Sequence, residues 1–241
     1  PTVSLHGTAF KYVAVYTPGA IKNTSSSNYF SPGDTIEDYL INTSNEVQLV
    51  KYVIIPYTLD GSGTKECPGQ TVEVDVYVNP TSFIGTEIAD TIFCDSATVE
   101  IDISDLNGIV IGQKVYQLYT TYAPGTVNGV QPSGEYNRID INDILVNNTD
   151  SVQLIEYRFV ARIKDPKDEN PAYYCDGGTD TTIRVYLNPT ARISLAVTDT
   201  IWCDSSTVVF DVSDSNGRVY ADKVYQLYTE YIPGSVSGVQ P

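Results

Sequence analysis

A chain of 241 residues that is 41% hydrophobic and 11% aromatic carries enough apolar material for packed cores, which excludes a disordered tail. Thirty acidic against fourteen basic residues give a net charge of −16. That balance argues against nucleic acid and anionic membrane surfaces as direct partners, and for the solubility of an exposed surface protein. No apolar run approaches the roughly 18–20 residues of a membrane span, so no direct membrane insertion is expected. With neither an initiator Met nor a leader pattern, the chain reads as a mature or excised fragment. Nineteen Tyr against one Trp, with abundant Thr, Val and Ile, is strand composition.

In chain order, the first predicted strand carries Phe10, Tyr12 and Tyr16, followed by a Pro18-Gly19 turn. A segment IEDYLINTSNEVQLVKY (36–52) follows, then Val72, Val74, Val76 and Val78 alternating with Glu73, Asp75 and Tyr77. The period of two marks a strand with one buried and one wet face. Asn79-Pro80 closes it, because Pro cannot donate to a ladder. Next come Val99, Ile101 and Ile103 alternating with Thr98, Glu100 and Asp102. Strands at 115–122, near 139–146 and at 151–163 follow, and then Ile183, Val185 and Leu187 before Asn188-Pro189. No stretch carries a convincing helical stripe.

These elements repeat. Residues 79–132 match 188–241 without a gap, at an offset of 188 − 79 = 109, with 33 of 54 positions identical. Residues 36–52 match 141–157 at an offset of 105, and Phe10, Tyr12 and Tyr16 match Tyr116, Leu118 and Tyr122 at 106. Such a period defines a tandem array. The expected organisation is a partial unit at 1–80 lacking its first strands, a complete unit at 81–189, and a partial unit at 190–241 holding first strands only. About seven short antiparallel strands per unit predict tandem Ig-like β-sandwiches, an all-β chain. Asn-Pro junctions with almost no linker predict an extended rod, as though cut as a window from a longer array. Tyr52 and Tyr157 are expected in the core. Length differences fall in loops, as in a scaffold.

Four cysteines fall into two equivalent types, Cys94 and Cys203 in CDS tripeptides, and Cys67 and Cys175 at Gly-containing turns. No C-x-x-C pair is present, so zinc is not expected. As disulfide candidates they pair either within a unit, Cys94–Cys175, or between units, Cys67–Cys94 with Cys175–Cys203, and free buried thiols are a third reading. Asp102, Asp105 and Asn107 before Gly108 recur as Asp211, Asp214 and Asn216 before Gly217, a candidate calcium set. The spacing is not that of an EF-hand, and Asp and Asn also cap turns on their own account. No other cofactor is implied. His6 has no counterpart in the second unit, and no phosphate loop, zinc-protease or nucleophile-elbow motif is present, so no catalytic residue is assigned. Tyr173 and Tyr174 could stack on a sugar ring, or simply cover their own loop.

The chain resembles the PKD-like repeats of Bacteroidota surface proteins. The resemblance rests on Cys94, on Leu40-Ile41-Asn42 and Leu145-Val146-Asn147, on Tyr52 through Pro56, on Cys67-Pro68-Gly69, and on Val74 through Pro80. In the second unit Ala161 replaces the strand proline and Leu187 the last Val. Arrays of this kind are similar to those of large gliding adhesins of the SprB type. The resemblance implies PKD-like sandwiches, type IX secretion, an extracellular position on the bacterial cell surface and no enzymatic activity. Implied partners are neighbouring repeats, and other surface proteins or glycans reached through loops. The Bacteroidota O-glycosylation pattern, Asp-Ser/Thr-apolar/Thr, occurs at Thr35, Thr91, Ser96, Ser151, Thr181 and Thr200. Asn23, Asn42 and Asn147 open N-x-Ser/Thr triplets, which matter only in a eukaryotic source. The competing reading is a sugar- or calcium-binding accessory region of a secreted enzyme.

Overall fold

The computed structural model describes residues 7–60, 66–164, 174–175, 177–197 and 200–239. All regular structure among them is β, in several sheets consistent with PKD/Ig-like sandwiches. His6 and Tyr173 lie outside the described residues, as does the side chain of Tyr174.

The middle portion is a closed sandwich. One sheet has the order β12 (Val127–Asn128), β14 (Ile141–Asn147), β10 (Ala97–Asp105), β8 (Ile84–Ile88). The facing sheet runs β13 (Gly134–Tyr136), β11 (Gln113–Thr121), β15 (Gln153–Lys164), β17 (Asp180–Leu187), β9 (Ile92–Phe93), with β16 (Tyr174–Cys175) extending the edge of β15. Every pairing is antiparallel except β9 on β17. The period-two pattern decides what is buried: Val99 and Ile101 from one sheet meet Leu118, Ile155, Tyr157, Phe159, Val185 and Leu187 from the other. The short strands β8, β9, β12, β13 and β16 carry too few alternating residues to be read from sequence.

The first portion repeats the second of these sheets. It comprises β1 (Thr8–Val15), β3 (Ser26–Phe30), β5 (Gln48–Leu59), β6 (Glu66–Pro68) and β7 (Val72–Val78), with a two-strand ladder of β2 (Ile21–Lys22) and β4 (Ile41–Asn42). Its core is small, built on Ile21, Val50 and Tyr52. The expected buried face of β7 is only partly covered, since Val72 and Val74 are 54% and 43% exposed. The reason is that no counterparts of β8 and β10 lie opposite among the described residues. The last portion contributes β18 (Ile193–Val197) and β19 (Phe210–Asp214), paired with each other and exposed throughout. Here Val208, Phe210 and Val212 are 44–56% exposed, where the equivalent Val99 and Ile101 are fully buried. No buried side-chain nitrogen or oxygen among the described residues lacks a partner.

Candidate functional site

The chemistry that the sequence repeats is concentrated at the junctions. After β10 the chain turns at Asp105-Leu106-Asn107-Gly108, and Asp105 starts the turn by accepting the Asn107 N–H on Oδ1 at 3.0 Å. The turn aims the Asn107 amide back along the chain. Its Oδ1 accepts the Phe83 N–H at 2.6 Å, while Nδ2 donates to Thr81 O at 2.9 Å and to Asn45 O at 3.3 Å. Gly108 N–H donates to the same Asn45 carbonyl at 2.8 Å, and Val47 N–H donates to Ile109 O at 2.7 Å. Asn79 completes the clasp: its amide donates to Ile111 O at 2.7 Å and accepts the Ile111 N–H at 2.8 Å. Lys114 pairs with Asp105 and donates to the carbonyls of Asn107 and Gly108.

The second junction reproduces the asparagine contacts of the first. Asn216 Oδ1 accepts the Arg192 N–H at 2.6 Å, and its Nδ2 donates to Thr190 O and Asp150 O. Gly217 N–H donates to Asp150 O, Val152 N–H to Arg218 O, and Tyr220 N–H to Asn188 Oδ1. Lys223 pairs with Asp214. Asn45 becomes Asp150 and Ile109 becomes Arg218 with no loss, because those positions act through their backbones. A Cβ at Gly217 would meet Ser151 Oγ at 2.1 Å, so the Ser151 hydroxyl would have to turn away to admit one. Two further contacts belong to this junction. Asp95 accepts the Asn147 N–H at 2.8 Å on one oxygen and the Thr190 hydroxyl at 2.5 Å on the other. Burial opposes ionisation of Asp95, but the bonds from Thr190, Asn147 and Ser96 outweigh it and hold its carboxyl below the usual range. Tyr186 stacks on Tyr220, with ring centroids 4.4 Å apart.

Inside each unit two polar residues fix the sheet ends. Asn147 donates to Ser151 O and Leu187 O and accepts from the Thr149 N–H and hydroxyl. Asn42 makes the equivalent four bonds to Glu46, Val78 and Ser44. Two of the three N-x-Ser/Thr asparagines, Asn42 and Asn147, are thus consumed structurally. Tyr157 donates to Asp143 at 2.6 Å, and Tyr52 to Asp38 at 2.5 Å. Burial, then the hydrogen bond and charge of the aspartate, push both phenols well above their ordinary range.

The candidate calcium residues do not fit a cation. Asp102 lies on the exposed face of β10 opposite Glu87, while Asp105 and Asn107 are engaged in the clasp. A lysine ammonium already supplies the positive charge at Asp105 and at Asp214, and Asn216 is committed as Asn107 is. Asp211 sits in β19 opposite Ala196. No group of three or more His, Cys, Asp or Glu able to hold a metal ion occurs among the described residues.

Register corrects the cysteine pairings. Cys175 lies opposite Ile163, whereas Cys94 directly follows Phe93, which lies beside Leu187 and so at the Gln153 end of β15. Ten residues of strand at about 3.3 Å each put roughly 33 Å between those ends, against the roughly 7 Å limit between bridged Cα atoms. Cys67, opposite Thr58, is likewise at the end of β5 away from its junction, which excludes Cys67–Cys94. By the repeat, Cys175–Cys203 fails for the same reason. All four are thiols here, exposed at Cys67, Cys94 and Cys203 and half-buried at Cys175. Of the glycosylation candidates, Thr35, Thr91, Ser96 and Thr200 are exposed, while Ser151 and Thr181 are half-buried. A groove lined by Ile103, Asp105, Tyr116, Asn137, Arg138 and Ile139 lies beside the clasp.

Residues 1–82 match the PKD-like domain family. The matched stretch is the first portion together with the Asn-Pro junction, and the repeat carries the same pattern into the middle portion. No curated protein matches the chain. A PKD-like domain fits an extracellular structural or adhesion-type repeat, and such domains are typically non-catalytic. No helix among the described residues is long and apolar enough to cross a membrane.

Sequence reasoning missed Asn79, Asn107, Asp38, Asp95 and Asp143 in these roles. A signal existed for Asp143, which alternates in step with Ile141 and Leu145 and so had to point inward. For Asn107 the signal was its recurrence as Asn216, read there as a cation ligand.

Proposed function

We propose that the chain is a run of spacer repeats in the stalk of a bacterial cell-surface adhesin or surface filament, with gliding motility as its setting. The observation that carries this reading is the clasp, whose bonds recur at both junctions through Asn107 and Asn216. A linker that only tethers two domains needs no repeated set of bidentate contacts; one that fixes their angle does. Each unit then contributes length and stiffness, and adhesion is carried by domains elsewhere in the parent protein. Secretion through the type IX route and O-glycosylation at exposed Thr35, Thr91, Ser96 and Thr200 belong to the same reading. They keep a long stalk soluble and protease-resistant.

Small-angle X-ray scattering tests the mechanical part. The double variant Asn107→Ala with Asn216→Ala is expected to shorten the mean end-to-end distance while the circular dichroism of the sandwiches is unchanged. An identical scattering profile would remove the stiffening role. Intact-mass measurement on protein from the native cell surface tests the modification, since a mass equal to that of the polypeptide alone rules it out.

A further inference from the structure

Both clasps are built on the same dipeptide, Asn107-Gly108 and Asn216-Gly217, and the chain holds one more, Asn128-Gly129. An asparagine followed by glycine is chemically labile, because glycine has no side chain to shield its backbone nitrogen from the asparagine carboxamide. That nitrogen attacks Cγ, and the new C–N bond closes a five-membered succinimide. The amide proton passes to the leaving nitrogen, and ammonia departs. Water then opens the ring at either carbonyl, which leaves aspartate or isoaspartate. One water is consumed and one ammonia released, with no oxidant or other reactant.

A closed clasp opposes each part of this step. The Asn107 carboxamide is fixed at both ends, Oδ1 by the Phe83 N–H and Nδ2 by Thr81 O and Asn45 O, so it cannot swing over the next peptide. The Gly108 nitrogen keeps its proton in a bond to Asn45 O at 2.8 Å. Lys114 holds the carbonyls of both residues. Asn216 and Gly217 are held by the equivalent bonds to Arg192, Thr190 and Asp150. Gly108 and Gly217 are exposed, so water reaches both pairs as soon as the bonds part. Asn128 is exposed in β12 and belongs to neither clasp.

We infer that Asn107 and Asn216 are deamidation sites gated by the junctions. A closed clasp protects its own asparagine, and each opening exposes it to an irreversible reaction that keeps the junction open. The product cannot restore the bonds. Aspartate loses the Nδ2 donor and turns a carboxylate toward the Thr81 and Asn45 carbonyls. Isoaspartate also inserts a methylene into the main chain and shifts the Gly108 N–H off Asn45 O. The chemistry needs only bonds within the chain and is the same whatever the clasp serves.

Peptide mapping by mass spectrometry on the 241-residue chain, incubated at mildly alkaline pH, reads each site separately. Conversion at Asn107 and Asn216 is expected to be roughly tenfold or more slower than in synthetic peptides spanning 103–112 and 212–221, because reaction waits on local opening. Asn79→Ala removes the two bonds to Ile111 without touching an Asn-Gly pair. It is expected to speed conversion at Asn107 severalfold while leaving Asn216 and Asn128 unchanged. In the fraction converted at Asn107, separated by its extra negative charge, amide exchange at Val47 is expected to rise severalfold over the unconverted fraction. Conversion in the chain as fast as in the free peptides would overturn the inference. So would an Asn79→Ala variant that leaves Asn107 unchanged or speeds Asn128 equally, and so would exchange at Val47 that ignores conversion.

Discussion

The seven residues KVYQLYT occur twice, and only once as a strand. At 114–120 they form most of β11, with Val115 and Leu118 at most 1% exposed. At 223–229 they form no strand, and Val224 and Leu227 are 89% and 52% exposed. Local propensity is identical by construction, so the difference is entirely what lies alongside. β11 is held by a nine-pair ladder to β15 and by the opposite sheet, and among the described residues neither lies beside 223–229. Strand formation in this family of repeats is therefore a tertiary event, and β-propensity measures fitness for a pleated, half-buried surface. The clasp behaves differently. Asn216 and Lys223 make their contacts even where the surrounding sandwich is open, because the turn is local and its partners are backbone groups of the preceding unit.

The largest effect that breaks this comparison comes from a charge placed at matched positions. Leu118→Asp buries an unpaired carboxylate in a closed core and is expected to cost roughly 4 kcal/mol or more, enough to unfold the middle sandwich. Leu227→Asp is expected to stay within about 0.5 kcal/mol, as exposed substitutions do. Urea denaturation followed by circular dichroism reads both. Equal losses would show that the last portion is packed as tightly as the middle one.

A second pair of matched sites compares the middle unit with the first. Tyr157→Phe removes the donor to Asp143, which is 6% exposed, and is expected to cost about 1–3 kcal/mol. Tyr52→Phe removes the same bond from the more open first portion, where water and Ser25 can still serve Asp38, and is expected to cost about 0.5–1 kcal/mol. The ordering of the two denaturation midpoints is the measurement, and its reversal would contradict the account of a half-covered first core.

The junctions sharpen the comparison further. Asn107→Ala removes three bonds at the first junction, where no aspartate ties Thr81 as Asp95 ties Thr190. It is expected to leave the middle unit's stability within about 1 kcal/mol while raising amide exchange at Val47 and Phe83 severalfold. Asn216→Ala is expected to raise exchange at Arg192 less, since Asp95 and the Tyr186–Tyr220 stack remain.

How much of this was written in the sequence depends on whether a residue acts through its side-chain period or through its geometry. The long strands, the core positions Tyr52 and Tyr157 and the all-β class follow from alternation, which sterics enforce. The exposure of Val72, Val74, Val208 and Phe210 does not, because alternation names a face and not what covers it. Asn107 illustrates the other limit. Asp-x-Asn-Gly is the same string whether its oxygens hold calcium or backbone N–H groups, and only Lys114, nine residues beyond Asp105, decides. The cysteine pairings failed for a topological reason: sequence separation says nothing of which end of a sheet a residue occupies.

The smallest expected effect concerns Asp95, and its sign follows from the direction of its shift. The carboxyl is held below its ordinary value of 3.8 in the fold, so the fold binds the ionised form more strongly than the unfolded chain does. Its contribution is present in full above that value and is lost as pH falls through the lowered one. Asp38, lowered despite burial by bonds from Ser25 and Tyr52, acts in the same window within the first portion. Comparing wild type with Asp95→Asn isolates the junction part. Between pH 4.5 and 3 the wild-type midpoint is expected to fall more than the variant's, by about 0.5 kcal/mol once solvent screening of a half-exposed group is allowed for. Parallel pH profiles would show that the bonds from Thr190 and Asn147 add nothing to the ionised carboxylate. In that case the second junction would be held by its asparagine clasp and the Tyr186–Tyr220 stack, without help from Asp95.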